Sequence, residues 1–110
     1  PWGVDVKGNN LPDEIWVELM NVQGKSGWLY GESKIIAFDM PEEGGFSVVD
    51  TEELRVFCEE NVEDTMVSNK ADAELKKYRR KDRLDIITKL NLMILKSLKT
   101  YRVWRYFKDY

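Results

Sequence analysis

Histidine is absent from this chain of 110 residues, and cysteine occurs once, at Cys58. Without histidine, neither a Ser-His-Asp nor a Cys-His catalytic arrangement can form within the chain, and the usual zinc ligand sets are incomplete. A single cysteine excludes an internal disulfide framework and is typical of a reducing compartment, so we expect a cytoplasmic protein with Cys58 buried. Any catalysis must therefore use carboxylates, lysines, tyrosines or a hard metal ion.

A long apolar segment and a signal peptide are also missing, so the sequence predicts no membrane partner. Apolar residues make up 43% of the chain and aromatic residues 12%, which is typical of a globular domain with a modest core. The net charge is −3, but residues 39–64 are acidic and residues 70–108 hold most of the positive charge. The basic half indicates either a surface that faces a polyanion or a solvated face.

The hydrophobic pattern predicts an α+β protein with alternating strands and few helices. Asp50 and Glu53 have the spacing of a capping box, which predicts a helix start at Thr51. Residues 28–30 fit either a short strand or a helical turn, and residues 63–74 form a polar connection without assigned structure. The predicted strands are 4–7, 15–21, 34–40, 46–49 and 84–90, the predicted helices are 51–62 and 92–98, and 101–107 is an edge strand or a docked tail.

Two of these apolar strands each carry one carboxylate, at Asp5 and Glu18. The turn cluster 8–13 between them predicts a hairpin or a strand-loop-strand unit. Alternation places Asp5 on one face with Lys7, and Glu18 on one face with Trp16 and Met20. A carboxylate in an apolar strand is costly to bury, so two of them on paired strands favour a cation between them. The alternative is that both carboxylates are simply solvated.

An Asp on one strand, a turn, and a Glu on an apolar strand two residues before a lysine form the signature of the PD-(D/E)XK nuclease superfamily, which residues 3–40 resemble. Residues 16–38 are similar in particular to small nuclease-like proteins of phage origin, through the segments 16–22, 27–31 and 36–38. The resemblance implies an α/β (α+β) fold with a restriction-endonuclease-like core, in which helices flank a central mixed sheet. A phage-encoded protein would act in the host cytoplasm.

The resemblance also implies a metal site, in which Asp5, Glu18 and the carbonyl oxygen of Leu19 bind Mg²⁺ or Mn²⁺ for hydrolysis of DNA. This sequence departs from the motif because Met20 occupies the position of the lysine, and a thioether carries no positive charge. Three explanations stay open. Met20 is an engineered inactivating change, Lys7 replaces the lysine, or the chain is a non-cutting member that binds nucleic acid or a protein.

We expect one nuclease-like domain over residues 1–110. The family's upstream helix is missing, so we expect a fragment, a processed product or one piece of a longer protein. The implied partner is DNA, including branched or single-stranded DNA, and a homodimer is a further expectation. Basic residues outside the motif are candidates for phosphate contacts, which position nucleic acid without reading its sequence. These candidates are Lys25, Lys76, Lys77, Arg79, Arg80, Lys81 and Arg83.

Overall fold

The computed structural model describes residues 3–9 and 11–107. Pro1 and Trp2, on which the expectation of a missing upstream helix rests, lie outside the described residues, as does Asn10 in the first turn. The elements in chain order are β1 (Val4–Lys7), β2 (Glu14–Met20), β3 (Ile35–Met40), β4 (Gly45–Asp50), α1 (Thr51–Asn61), β5 (Glu63–Val67), β6 (Lys76–Tyr78), β7 (Ile86–Asn91), α2 (Leu92–Lys96) and β8 (Arg102–Arg105).

The α+β class is confirmed, and the strands divide between two mixed sheets of four strands. The first sheet has the order β1-β3-β4-β8, and the second has the order β2-β7-β6-β5. The expected single central sheet is therefore replaced by two sheets, and β8 is the predicted edge strand. Residues 28–30 form a 3₁₀ turn, and β5 lies in the connection that had no predicted structure.

The prediction that β1 and β2 pair with each other is wrong. β1 pairs in parallel with β3, whereas β2 pairs antiparallel with β7 in the other sheet. The prediction that β2 is a central strand is also wrong, because β2 lies at the edge of the described second sheet. The apolar residues of β2 do not reflect burial between two neighbouring strands. Ile15 and Val17 face the core, whereas Trp16 lies on the other face, half-buried beneath Lys89.

Both sheets and both helices contribute to one hydrophobic cluster. β3 supplies Phe38, β7 supplies Leu90, and α1 supplies Leu54 and Cys58. Cys58 is 3% exposed, as expected for a small apolar residue. Desolvation, assisted by the charge of Glu59, raises the pKa of its thiol to about 12. The two sheets thus hold each other in place through a shared core.

The start of α1 differs from the predicted capping box. Within the described residues, the side chain of Asp50 makes no capping hydrogen bond, and it pairs with Arg102 at 2.9 Å. The Glu53 carboxylate accepts hydrogen bonds from the backbone N–H groups of Lys99 and Thr100 at 2.7 and 2.8 Å. These two acids therefore connect the start of α1 to β8 and to the segment before it. The predicted cap of α2 is confirmed, because Asn91 Oδ1 accepts from the Ile94 N–H at 2.9 Å.

Candidate functional site

Asp5 and Lys7 share one face of β1, as the alternation of the strand predicts. In the register with β3, Asp5 lies beside Ile36 and Lys7 lies beside Phe38, both of which are buried. Lys7 Nζ lies 3.2 Å from Asp5 Oδ2, and the two side chains are 29% and 28% exposed. The pair is therefore open to solvent at the edge of the first sheet, and the two charges balance each other.

Glu18 lies on β2 in the second sheet and is half-buried. Its Oε1 atom accepts a hydrogen bond from the backbone N–H of Trp28 at 3.2 Å. The neighbouring residue Gly27 donates its N–H to the Leu19 carbonyl oxygen at 3.0 Å. A Cβ atom at Gly27 would lie 2.5 Å from the Glu18 carbonyl oxygen and 2.9 Å from Glu18 Cγ. Only glycine therefore allows the chain to return this close to the Glu18 backbone.

Trp28 connects the two carboxylates, although they lie on strands of different sheets. The Lys7 ammonium lies 4.9 Å from the centroid of the Trp28 ring, close enough for a cation–π contact. The same ring packs edge-on against Phe38, with the ring centroids 6.1 Å apart. The backbone of Trp28 therefore binds Glu18, its ring contacts Lys7, and Asp5 joins this chain of contacts through its ion pair with Lys7.

The donor atoms around Trp28 partly fit a hard divalent cation. Asp5 and Glu18 each keep one carboxylate oxygen outside the contacts described above, and a carbonyl oxygen such as that of Leu19 has a second lone pair. Mg²⁺ prefers oxygen ligands, is often bound through one or two carboxylates, and keeps several waters. Within residues 3–9 and 11–107, no group of three or more acidic, histidine or cysteine side chains is placed to hold a metal. A cation here would therefore depend on water for much of its shell.

Met20 points away from this group, so the prediction that it shares a face with Glu18 and Trp16 is wrong. The register with β7 shifts by one residue, because Glu18 pairs with Ile87 and Met20 pairs with Ile86. Such a bulge at Leu19 breaks the strict alternation of side chains. Met20 instead lines a cavity of about 400 Å³ with Tyr30, Cys58 and Lys77 among its other walls.

The predicted phosphate contacts lie in three places. Lys25 is exposed in the turn after β2, where Asn21 Oδ1 accepts the N–H groups of Gln23 and Lys25 at 2.9 and 3.0 Å. Lys76 and Lys77 lie on β6, and Lys77 pairs with the exposed Asp64 at 2.5 Å. The remaining four, Arg79, Arg80, Lys81 and Arg83, line one open groove in the β6–β7 connection.

Asp85 does not line this groove but binds two of the arginines that do, and the sequence reasoning missed it. It is 2% exposed and pairs with Arg80 and, at 3.2 Å, with Arg83. The available signal was an acid two residues after a basic run and directly before an apolar strand, which indicates a structural partner for that run.

No protein-family model matches this chain, and no curated protein or solved structure matches it. Neither helix in the described part of the chain is long and apolar enough to cross a membrane. Support for a function therefore comes from the two groups of side chains described above, around Trp28 and in the β6–β7 connection.

Proposed function

We propose that the chain hydrolyses phosphodiester bonds in DNA with Mg²⁺ or Mn²⁺ bound by Asp5 and Glu18. The observation that supports this proposal is that Trp28 contacts Glu18 in the second sheet and Lys7, the ion-pair partner of Asp5, in the first sheet. Metal-assisted hydrolysis needs carboxylates that bind the ion, a cation that stabilises negative charge, and access for the substrate. The two carboxylates, Lys7 and the exposed edge of the first sheet can supply these. The basic groove supplies a second surface for the same polyanion.

In this proposal, the free oxygens of Asp5 and Glu18 and the Leu19 carbonyl hold the metal ion. The bound ion would polarise a phosphodiester oxygen and lower the pKa of a water molecule. Lys7 lies 3.2 Å from Asp5, and in this proposal it takes the role of the motif lysine, whose position is occupied by Met20. Its ammonium orients the attacking water and offsets negative charge that develops on the phosphate. A homodimer would bring two such sites to the two strands of a duplex.

The second candidate function is a non-catalytic module that binds nucleic acid or a protein on the same scaffold. The observation that favours it is the pairing of Lys7 with Asp5 at 3.2 Å, which balances the charge that catalysis would use. Met20 adds to this argument, since its side chain lines a cavity on the other side of the Leu19 bulge. The two functions differ in whether Asp5 and Glu18 bind a metal ion and whether the protein cuts DNA.

A nuclease assay in Mn²⁺ on supercoiled and single-stranded DNA separates the two. We expect cleavage by the unaltered chain and a loss of about 100-fold in Lys7→Met, which is typical of removing one group that stabilises transition-state charge. Calorimetry should show Mn²⁺ binding that Asp5→Ala and Glu18→Ala each abolish. Glu14→Gln is the matched control, because Glu14 lies on the same strand and pairs with Lys89 at 3.1 Å.

The variant Met20→Lys sharpens the result. Cleavage that appears only in this variant would mean that the scaffold has lost its lysine and that Lys7 does not replace it. Cleavage by neither protein, together with Mn²⁺ binding that the Asp5 and Glu18 substitutions leave unchanged, would contradict the metal site and favour the binding module. Sedimentation of the unaltered chain measures whether it forms a dimer.

A further inference from the structure

Asp85 carries a buried charge and is separate from the candidate metal site formed by Asp5, Lys7 and Glu18 near Trp28. It lies at the end of the β6–β7 connection and is 2% exposed. Burying an ionised carboxylate is strongly unfavourable unless charged or hydrogen-bonding partners compensate it. Desolvation acts to raise the pKa of Asp85, but the hydrogen bond and charge of Arg80 and the charge of Arg83 outweigh it and lower the pKa. Asp85 is therefore ionised at neutral pH.

The two oxygens of Asp85 bind two different arginines. Oδ2 pairs with the Arg80 guanidinium, and Oδ1 accepts from Arg83 Nε at 3.2 Å. The Arg80 and Arg83 side chains stay 43% and 45% exposed. Each guanidinium has five N–H donors, so most donors of both side chains remain available to solvent or a ligand. One buried carboxylate thus holds two guanidinium groups side by side at a fixed spacing.

The backbone of this connection is also held in shape. The Arg79 N–H donates to the Val67 carbonyl at 3.3 Å, and the Arg83 N–H donates to the Arg80 carbonyl at 3.2 Å. Asp82 has a φ of 62°, in the left-handed region that an Asp side chain tolerates in turns. The basic side chains therefore extend from a loop whose backbone is fixed by hydrogen bonds.

The groove beside this loop has a volume of about 580 Å³, and its lining combines four cations and one acid, Asp82, with an apolar floor formed by Met66 and Leu84. Arg79 and Lys81 lie on its wall beside the two paired arginines. Met66 and Leu84 also line the groove, and they are 47% and 55% exposed. An anion with apolar parts between its charges would satisfy both kinds of surface.

We propose that this groove binds single-stranded polynucleotide through its phosphates, with Asp85 as the residue that positions Arg80 and Arg83. The unpaired bases contact Met66 and Leu84. In a duplex the bases are stacked inside, so the apolar floor would have nothing to contact, whereas unpaired bases expose apolar faces. This inference adds to the proposed function by specifying single-stranded polynucleotide as the substrate class. It rests on the proposed function only for cleavage, which follows binding.

Fluorescence anisotropy with a labelled single strand of about 20 nucleotides, in EDTA, tests binding without the metal. We expect the single strand to bind about 10-fold more tightly than a duplex of the same sequence. The double variant Arg79→Ser/Lys81→Ser should reduce the slope of log affinity against log salt by about 1.4, because each phosphate contact on a single strand contributes about 0.7. The double variant Lys34→Ser/Lys99→Ser removes the same charge elsewhere and should leave the slope unchanged.

Asp85→Asn gives the sharpest readout, because it makes the groove more positive. A purely electrostatic surface would bind DNA more tightly after this change. A positioning role predicts about 10-fold weaker binding with a smaller salt slope, and rescue by Asp85→Glu. If Asp85→Asn unfolds, Leu84→Ser decides the question through the expected loss of the preference for single strands.

Tighter binding by a folded Asp85→Asn variant, or equal affinity for duplex and single strand, would overturn the inference. Equal affinity for polyglutamate at matched charge would reassign the groove to acidic proteins. Failure of the Mn²⁺ assay leaves these binding results untouched, since EDTA removes the metal. Conversely, Asp5→Ala and Glu18→Ala should bind the single strand normally.

Discussion

Replacing Glu53 by glutamine tests the connection between α1 and β8. The carboxylate accepts three hydrogen bonds, from the backbone N–H groups of Lys99 and Thr100 and from the Thr100 hydroxyl at 2.6 Å. The same hydroxyl accepts from the Asp50 N–H at 2.9 Å. A glutamine amide keeps one acceptor and turns an NH₂ group toward donors, so part of this network is lost.

The magnitude follows from the kind of hydrogen bond. Hydrogen bonds to a charged acceptor contribute about 1.5–3 kcal/mol each, and a half-buried donor left without its partner adds a penalty. Since glutamine retains one acceptor, we expect Glu53→Gln to lower the free energy of unfolding by about 2–3 kcal/mol. For a domain of this size, the midpoint of thermal unfolding should fall by about 10 °C.

The effect should depend on pH with a definite sign. Desolvation acts to raise the Glu53 pKa, but the hydrogen bonds from Thr100 and Lys99 lower it below the ordinary value of 4.5. A lowered folded-state pKa stabilises the protein above pH 4.5, and this stabilisation is lost as the pH falls through the folded-state pKa. Urea unfolding should therefore show a difference between the two proteins that is full at pH 7 and shrinks in acid.

The matched control is Glu52→Gln, because Glu52 lies in the same turn of α1 and is exposed. It removes the same charge near the same helix end and should change stability by less than about 0.5 kcal/mol. Equal effects of the two substitutions, or a Glu53→Gln effect that is constant from pH 7 to pH 3, would refute the reasoning.

Two further predictions concern the core beside the site. Gly27→Ala should destabilise the protein by about 1–3 kcal/mol in urea unfolding and weaken Mn²⁺ binding, because the added Cβ would lie 2.5 Å from the Glu18 carbonyl oxygen. Gly8→Ala is the control: a Cβ at Gly8 has no neighbouring atom within 4 Å, so this change should alter neither stability nor Mn²⁺ binding. The pKa of Cys58, raised to about 12 by burial, keeps the thiol protonated at pH 8, so native protein should react with iodoacetamide more than about 100-fold slower than protein unfolded in urea. Equal rates would mean that the thiol is exposed.

Local sequence patterns predicted most of the strands but not their partners. Alternation at 4–7 and 34–40 identifies β1 and β3, yet the parallel pairing of Val4 with Ile35 joins residues far apart in the chain. The turn cluster 8–13 suggested a hairpin, and nothing in that segment reveals that β2 enters another sheet. β5 gave no signal, because four of its five residues are exposed and it has no apolar face.

The candidate site residues could be named from the sequence, but the positions of their side chains could not. Asp5 and Lys7 share a face because an unbroken strand alternates, so that relation could be read from the sequence. The Leu19 bulge could not, since a single extra residue reverses the orientation of Met20 and is supported by Gly27, which comes back against β2 from a later turn. The capping box failed for a similar reason, because Thr100 binds Glu53 from 47 residues away.

Two carboxylates on neighbouring strands of one sheet would have their separation set by the backbone hydrogen bonds between those strands. Here Asp5 and Glu18 belong to different sheets, and Trp28 contacts Glu18 through its backbone and Lys7 and Phe38 through its ring. The width of the site is therefore a property of side-chain packing between the sheets. A substitution at Phe38 that lets the indole move would change the distance between the two acids without touching either one. Core substitutions that move the Trp28 ring should consequently change the affinity for a cation, and the change in affinity should not follow the change in the free energy of unfolding.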